Sequence, residues 1–209
     1  NTVNSEGHSL FKKSRDAVVQ VKKAEVRDAI LKSAFRLFKT KGYSVTTTAQ
    51  IAAGAKISES NLYIYFGSKF EILFAVCDPW MRERVENLET RVAQEPDRKR
   101  RLSIILTVLW QEIPSEDNGF PNNLMQALAT TARREGYRPD LLHWIGGRVD
   151  KLVLDCLPAP RRKKLNKRGL GHLFMMAQDG FVLNYHLNRK SVCSDATIEA
   201  VCDMLLNGD

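Results

Sequence analysis

Residues 46–73 constrain the fold of this chain more than any other segment. They read TTTAQIAAGAKISESNLYIYFGSKFEIL and contain two signals for the start of a helix. Thr47 followed by Gln50 forms a capping-box pattern, and Ser58 is a favourable N-cap for a second helix. Two short helices joined by about four residues have the spacing of a helix-turn-helix, whose second helix enters the major groove of DNA.

The segments on either side of this stretch are predicted to be helical as well. Apolar residues at steps of three and four predict a helix over residues 22–41. Ser68 with Glu71 is a second capping-box pattern, and it opens a long helix that contains Pro79, which we expect to kink it. The polar residues 1–21 lack an apolar face and are interpreted as a flexible basic arm.

The rest of the chain also has helical periodicity. No segment shows sustained alternation of apolar and polar residues, so no sheet is expected. The predicted fold class is therefore all-α, with about nine helices in total. The last five helices are placed near residues 98–113, 121–135, 138–156, 162–188 and 194–206.

Positive charge is concentrated at the N-terminal end of the sequence. Residues 1–70 carry 12 lysines and arginines against 5 acidic residues, and the whole chain has a net charge of +8. A basic field suits DNA, because neutralising phosphates releases condensed counterions. No apolar run is long enough to cross a membrane, so we expect no membrane partner and a cytoplasmic location. The four cysteines lack metal-ligand spacing, and neither a metal nor a cofactor is expected.

Helical position assigns an inner and an outer side to the two short helices. The residues predicted to pack inward are Ile51, Ala52, Ile57, Leu62 and Phe66, against Phe35, Leu37 and Phe38 of the first helix. The residues left facing outward are Glu59, Ser60, Asn61, Ile64 and Tyr65. Asn61 can pair with adenine, Glu59 can accept a hydrogen bond from cytosine N4, and Ile64 can contact a thymine methyl group.

The same stretch resembles the DNA-binding domain of the TetR family of bacterial regulators. The resemblance covers about residues 24–74 and includes the preceding helix, which ends FRLFKTKGY. The matching positions are Thr46, Thr47, Ile51, Ala52, Ala55, Ser58, Leu62, Tyr63, Tyr65, Phe66, Lys69 and Ile72. The sequence departs from the family at Lys56, where a turn glycine is usual, and at Gly67, where proline is common. A left-handed Lys56 would cost about 1 kcal/mol.

The resemblance implies a transcriptional regulator with two domains. Residues 22–70 would be the helix-turn-helix DNA-binding domain, and residues 71–209 would form the ligand-binding and dimerisation domain. Such a protein binds palindromic operator DNA as a homodimer, usually as a repressor, and a small-molecule effector releases it; the same fold also serves activators, and this alternative stays open. Thr47, Thr48 and Lys69 lie at helix starts, where phosphates bind. The candidate DNA-binding residues are Thr47, Thr48, Ser58, Glu59, Ser60, Asn61, Tyr63, Ile64, Tyr65 and Lys69.

The family resemblance also implies a dimer interface and a ligand pocket. The candidate interface is a stripe in the region of the last two helices, and the alternative is that this stripe packs within its own subunit. Its residues are Leu173, Met176, Gly180, Leu183 and Leu187. A pocket needs an apolar wall with a few polar groups. The candidate wall residues, for each of which core packing is the alternative, are Trp80, Trp110, Phe120, Met125, Trp144, Phe174 and Gln178.

Three other functions remain open from the sequence. The first is a TetR-like DNA-binding protein without a small-molecule effector, acting as an architectural factor or under the control of a protein partner. The second is an enzyme using Asp179, His186 and Cys156. No converging catalytic set or phosphate-binding glycine loop is visible, so no catalytic residue is assigned. The third is a redox sensor using Cys193 and Cys202.

Overall fold

The computed structural model describes residues 5–116, 119–130, 140–166, 168–188 and 191–207, with side chains from residue 20 onward. These residues form ten α-helices and no strand, which confirms the all-α prediction. A π-helical turn, Val108–Glu112, follows the fifth helix directly. The helices are α1 (Ser5–Lys41), α2 (Thr48–Gly54), α3 (Glu59–Tyr65), α4 (Lys69–Gln94), α5 (Arg98–Thr107), α6 (Phe120–Thr130), α7 (Asp140–Cys156), α8 (Ala159–Leu165), α9 (Leu170–Leu187) and α10 (Asp195–Asn207).

Helix α1 is longer than the sequence predicted. It begins at Ser5, so residues 5–21, interpreted as an arm outside the helix, belong to it. The prediction depended on an apolar face, which these residues lack. They contain no proline and several good helix formers, so the backbone hydrogen bonds of α1 continue without help from an apolar face.

The helix predicted over residues 162–188 is two helices. Helix α8 ends at Leu165, and α9 begins at Leu170. Between them Gly169 has a φ of 68°, a left-handed conformation that ends a right-handed helix and that glycine adopts without a Cβ penalty. This break accounts for ten helices where the sequence predicted nine. By contrast, α4 continues through Pro79 as a single helix.

The chain divides into two compact units, the first ending at Val76 and the second beginning at Cys77. Among the helices described, none combines the length and the apolar character that crossing a bilayer requires. The core of the first unit includes Ile30, Ala34, Phe38, Ile51, Ala52, Leu62 and Phe66. Phe35, which was predicted to pack there, is 40% exposed. It follows Ala34 directly and therefore lies on a different side of α1 from the buried stripe.

Helices α1 and α2 approach each other closely at Gly54. A Cβ atom at Gly54 would lie 2.2 Å from Oγ of Ser33. The Ser33 hydroxyl is buried and donates a hydrogen bond of 2.9 Å to the carbonyl oxygen of Ile51. This oxygen cannot move aside without losing its bond, so the contact requires glycine at position 54.

Replacing Gly54 with alanine is expected to lower the free energy of unfolding by about 2 kcal/mol, because overpacked contacts force the backbone or the side chain to shift. Urea denaturation measures the change. The double variant Gly54→Ala/Ser33→Ala lacks the clashing oxygen and should recover part of the loss. A Gly54→Ala protein as stable as the wild type would show that α1 and α2 do not approach in this way.

The turn between α2 and α3 contains a strained residue. Lys56 has a φ of 58°, and no other non-glycine residue in the described ranges has a positive φ. Lys56 therefore takes the left-handed conformation that the usual turn glycine would favour, and it bears the steric cost of its Cβ there. A glycine at this position would avoid the strain, because it has no Cβ atom.

Replacing Lys56 with glycine is expected to raise the free energy of unfolding by about 1 kcal/mol, because glycine adopts this conformation without a Cβ clash. The matched control is Lys39→Gly within α1, which should lower it by about 1 kcal/mol through the poor helix propensity of glycine. Both changes are read from chemical denaturation curves. Equal losses in the two variants would contradict the strain at Lys56.

The core of the second unit is built largely from α5, α7 and the neighbouring helices. Its fully buried side chains include Leu102, Ile105, Leu106, Val149, Val153 and Leu157. Helices α7 and α9 come together at Gly171, where a Cβ atom would lie 2.4 Å from the carbonyl oxygen of Gly146. The N–H group of Gly171 donates a hydrogen bond of 3.0 Å to Oδ1 of Asp150. Backbone therefore packs on backbone at this crossing.

Candidate nucleic-acid interface and ligand cavity

Two capped helix starts define the geometry of the candidate interface. The N–H group of Gln50 donates to Oγ1 of Thr47, and the N–H group of Thr47 donates to Oε1 of Gln50, each at 3.2 Å, which confirms the predicted capping box. The N–H group of Asn61 donates to Oγ of Ser58 at 3.2 Å, so Ser58 is the N-cap of α3 as predicted. These bonds satisfy amides that a helix start leaves unpaired.

The outer side of α3 is open to solvent. Glu59, Ser60, Tyr63 and Ile64 are exposed, and Asn61 and Tyr65 are half-buried. Ile64 is the most exposed of the large apolar side chains described, at 75%. An exposed isoleucine flanked by tyrosine, serine and amide groups offers both apolar and hydrogen-bonding contacts to base edges.

A hydrogen-bond network joins the start of α2 to α3. The hydroxyl of Thr48 donates to Oε1 of Glu59 at 2.5 Å and lies 3.2 Å from the hydroxyl of Tyr63. The hydroxyl groups of Ser58 and Ser60 lie 3.0 Å apart. The sequence assigned these residues separate contacts to DNA, whereas the structure joins Thr48, Glu59 and Tyr63 in one polar cluster. Their orientations are therefore interdependent.

Lys69 is held by the backbone of the turn that follows α1. Its Nζ donates to the carbonyl oxygens of Tyr43 and Thr46, each at 2.8 Å, and lies 4.2 Å from the centroid of the Tyr43 ring. Burial lowers the pKa of this ammonium group. An ammonium group has three donors, so one remains for a phosphate. Lys69 thus has a structural role that its place in the sequence motif did not reveal.

A cavity of about 540 Å³ lies in the second unit. Residues of α4, α6, α7 and α9 contribute to its wall, and four of the predicted wall residues line it: Trp80, Phe120, Met125 and Gln178. Sites for small molecules commonly have volumes of about 300–1,000 Å³ and mostly apolar walls. The cavity therefore has the size and the character of a ligand site.

The other three predicted wall residues lie elsewhere. The rings of Trp110 and Phe174 pack edge to face with centroids 5.6 Å apart, and Nε1 of Trp110 donates to the carbonyl oxygen of Phe174 at 3.2 Å. The guanidinium groups of Arg82 and Arg148 lie 4.6 and 5.2 Å from the ring centroid of Trp144. Aromatic residues form core contacts and cation–π pairs as readily as pocket walls, so residue type alone did not separate these roles.

Sequence reasoning missed the titratable part of the cavity wall. His143, Asp150, His172 and Asp179 line the cavity. Burial raises the pKa of Asp179 to about 6, and the nearby His172 partly opposes this shift. The spacing of His172 and Asp179 on one helix was a visible signal, since residues seven apart share a helix face.

Gln178 adds a polar group to the same wall. Its side chain is buried, at 8% exposure, and its Oε1 has no hydrogen-bond partner in the described part of the chain. An unpaired buried oxygen costs about 1–3 kcal/mol. Such an atom beside an empty volume is typical of a position where a bound molecule or water supplies the missing partner.

The predicted stripe on α9 faces solvent. Leu183 is 51% exposed and Leu187 71% exposed, and Leu173 and Met176 are exposed to a similar degree. At Gly180 a Cβ atom would meet nothing within 4 Å. The stripe is therefore largely open to solvent in the described ranges, and its Met176 also lines the cavity.

All four cysteines are buried free thiols. Burial raises the pKa of Cys77 to about 12 and of Cys156 and Cys202 to about 11, and it also raises the pKa of Cys193. A thiol reacts as the thiolate, which a raised pKa disfavours at neutral pH. These environments count against Cys156 as a nucleophile and against a redox pair formed by Cys193 and Cys202.

A helix-turn-helix whose second helix is open to solvent has the arrangement of a DNA-binding domain. Residues 30–76 match the model of the family described as bacterial regulatory proteins, tetR family. Over 201 residues the chain is 25% identical to the uncharacterized HTH-type transcriptional regulator YerO of Bacillus subtilis strain 168, a match covering 88% of this chain and 65% of that protein. The chain thus spans a little under two thirds of the length of YerO. The match places a tetR-type helix-turn-helix in the first unit of this chain.

Solved structures share the fold of this chain at low sequence identity. FadR from Bacillus subtilis, in complex with stearoyl-CoA, has a TM-score of 0.52 and 18% identity, with 87% of this chain and 98% of that chain covered. A transcriptional regulator from Saccharomonospora viridis, in complex with choline, has a TM-score of 0.58 and 17% identity, with coverages of 88% and 97%. At these identities the likeness shows a common fold.

Proposed function

We propose that this protein is a homodimeric repressor that binds a palindromic operator through α3 and is released by a small-molecule effector. The observation that carries the proposal is α3 itself, a capped helix whose outer side exposes Ser60, Tyr63 and Ile64 on a buried apolar base. A bacterial operator is reached in the cytoplasm, where such a protein would act.

The residues of the interface divide into two groups by the DNA chemistry that they suit. Asn61, Tyr65 and Ile64 lie on α3 with amide, hydroxyl and apolar groups, which suit base edges in the major groove. Thr47 and Lys69 lie at the starts of α2 and α4, where backbone N–H groups and an ammonium suit phosphates. The first group would determine the preferred sequence, and the second would determine affinity and register.

The exposed stripe on α9 supports a homodimer. Its leucines and methionine form one apolar face with a glycine in the middle, and isolated subunits rarely expose such a face. A second copy of the same stripe, related by a twofold axis, would bury it in an isologous contact. In the proposed dimer the two α3 helices would lie about 34 Å apart, one helical turn of DNA.

The cavity supports a small-molecule effector. Cys77, Trp80 and Met81 line it from α4, the helix that begins at Lys69 beside the helix-turn-helix. A ligand that binds better to one position of α4 shifts the dimer toward that position, and the shift cannot exceed the difference in its affinities for the two states. The structural neighbours bind stearoyl-CoA and choline, so the shared fold accommodates chemically unlike ligands.

The proposal is tested by selecting bound sequences from a random duplex library with the purified protein at a stated salt concentration. We expect a palindrome with half-sites about one helical turn apart. Asn61→Ala should lose preference at one base pair per half-site, with a cost of about 1–3 kcal/mol there. The exposed Asn87 on α4 provides the control, and Asn87→Ala should leave the selected sequence unchanged. Binding without sequence preference, falling steeply with salt, would contradict operator recognition.

A regulator without a small-molecule effector remains the second candidate. It would fill its cavity with its own side chains, whereas a volume of about 540 Å³ is present here. A ligand screen by thermal stabilisation separates the two, because a molecule that binds only the folded state raises the apparent stability. A stabilising ligand that leaves the operator dissociation constant unchanged would favour this second candidate.

A further inference from the structure

The titratable groups of the cavity wall include two carboxyl groups and the imidazoles of His143 and His172. In the described part of the chain, the wall includes the carboxyl groups of Asp150 and Asp179 and no lysine or arginine. Asp150 already accepts a hydrogen bond from the N–H group of Gly171. Asp179 has neither a hydrogen bond nor an ion pair within the described ranges and is therefore the carboxylate available to a ligand.

The surroundings of Asp179 are apolar and readily polarised. Trp80, Phe120, Met125 and Met175 line the same cavity, and the amide of Gln178 precedes Asp179 on α9. Aromatic faces and thioethers attract positive charge. Burial raises the pKa of Asp179 to about 6, and the nearby His172 opposes this shift only in part, so a further positive charge beside the carboxylate would be favourable.

We propose that the cavity takes an organic cation with a hydrophobic body, whose positive group lies against the carboxylate of Asp179 and whose body contacts Trp80, Phe120 and the methionines. This inference rests on the proposed function, since it names the class of effector for the same cavity. A carboxylate or phosphate ligand would meet two like charges and no described cation, which is unfavourable in a desolvated site.

The probes that test this inference share an octyl chain and differ in charge: octyltrimethylammonium, 1-octanol and octanoate. Their dissociation constants are measured by titration calorimetry with the whole 209-residue chain, in the oligomeric state that it adopts in solution. We expect the ammonium probe to bind at least about tenfold more tightly than octanoate. Met125→Trp fills part of the cavity and should weaken the binding of all three probes, which would show that they bind in this cavity.

Asp179→Asn tests the anchor directly. It should bring the dissociation constants of the ammonium and octanoate probes to within about threefold of each other and leave that of octanol unchanged. The control is Asp155→Asn, since Asp155 is exposed on α7 and does not line the cavity. This variant should retain the wild-type preference for the cation.

A pH series on the wild type provides a second measurement that needs no variant. Lowering the pH through about 6 protonates Asp179, which shares the cavity wall with His143, His172 and Asp150. Loss of the negative charge of Asp179 disfavours a bound cation, so the preference for the ammonium probe should decrease with falling pH.

The outcomes separate this inference from the function on which it rests. Octanoate binding as tightly as the ammonium probe, or a cation preference that persists in Asp179→Asn, overturns the inference while leaving the cavity as an effector site. Absence of binding by every probe to folded protein overturns the inference, and the thermal-stabilisation screen then decides whether the cavity takes any effector. Tight cation binding that depends on Asp179 supports both.

Discussion

Replacing Leu183 with aspartate is expected to convert the protein to a monomer and to raise the operator dissociation constant by about 100-fold or more. Leu183 lies in the exposed stripe of α9, which the proposed dimer buries. A carboxylate there would be buried without a partner on each side of the twofold axis, which strongly disfavours association. A dimer that contacts two half-sites binds about 10²–10⁴-fold more tightly than a subunit that contacts one, and the monomer loses this gain.

Sedimentation equilibrium gives the oligomeric state, and fluorescence anisotropy with labelled operator gives the affinity. The control is Val192→Asp, because Val192 is also exposed, at 37%, and lies outside both α9 and α10. It should remain dimeric and bind normally. A Leu183→Asp protein that dimerises and binds like the wild type would place the dimer interface elsewhere.

Replacing Gly171 with alanine is expected to lower the free energy of unfolding by about 3 kcal/mol, near the upper end of the cost of overpacking. The new Cβ would lie 2.4 Å from the carbonyl oxygen of Gly146 and 2.7 Å from the backbone nitrogen of Asp150. Both obstructing atoms are backbone, so the clash is relieved only by moving α7 away from α9. Because both helices line the cavity, ligand affinity should fall as well.

Gly147→Ala on α7 is the matched control, because a Cβ atom there meets nothing within 4 Å. Alanine has the better helix propensity, so this variant should be at least as stable as the wild type. Denaturant unfolding of the two variants under the same conditions gives the comparison. Equal stability of Gly171→Ala and Gly147→Ala would show that α7 and α9 are not in backbone contact.

The local parts of the fold were predictable because short-range rules determine them. The Thr47–Gln50 capping box and the Ser58 cap are interactions over three residues, and both occur as the sequence indicated. Lys56 stands where a turn glycine is usual, and this position keeps the left-handed conformation that glycine favours. The helical structure of residues 5–21 was not predicted because a helix without an apolar face leaves no periodic signal in the sequence. These residues contain nothing that stops a helix.

The cavity was less predictable because it depends on contacts between distant segments. Trp80 and Trp110 are both tryptophans on predicted helices, yet one lines the cavity and the other packs on Phe174. From the sequence, Asp179 was considered only as a catalytic partner of His186. Its place in the wall of an apolar cavity results from the packing of α9 against other helices, which the sequence does not reveal. Residue type and periodicity carry no information about which buried face adjoins an empty volume.

The spacing of operator half-sites tests whether the dimer presents its two α3 helices to one side of the DNA. The selected palindrome is compared with versions in which about 5 or about 10 base pairs are inserted between the half-sites, half a helical turn or a full one. We expect two subunits per operator, high affinity only at the selected spacing, and loss of affinity after the half-turn insertion, which moves one half-site to the opposite face. Equal affinity at every spacing, with one subunit on each half-site, would contradict a dimer that presents two α3 helices to one side of the DNA.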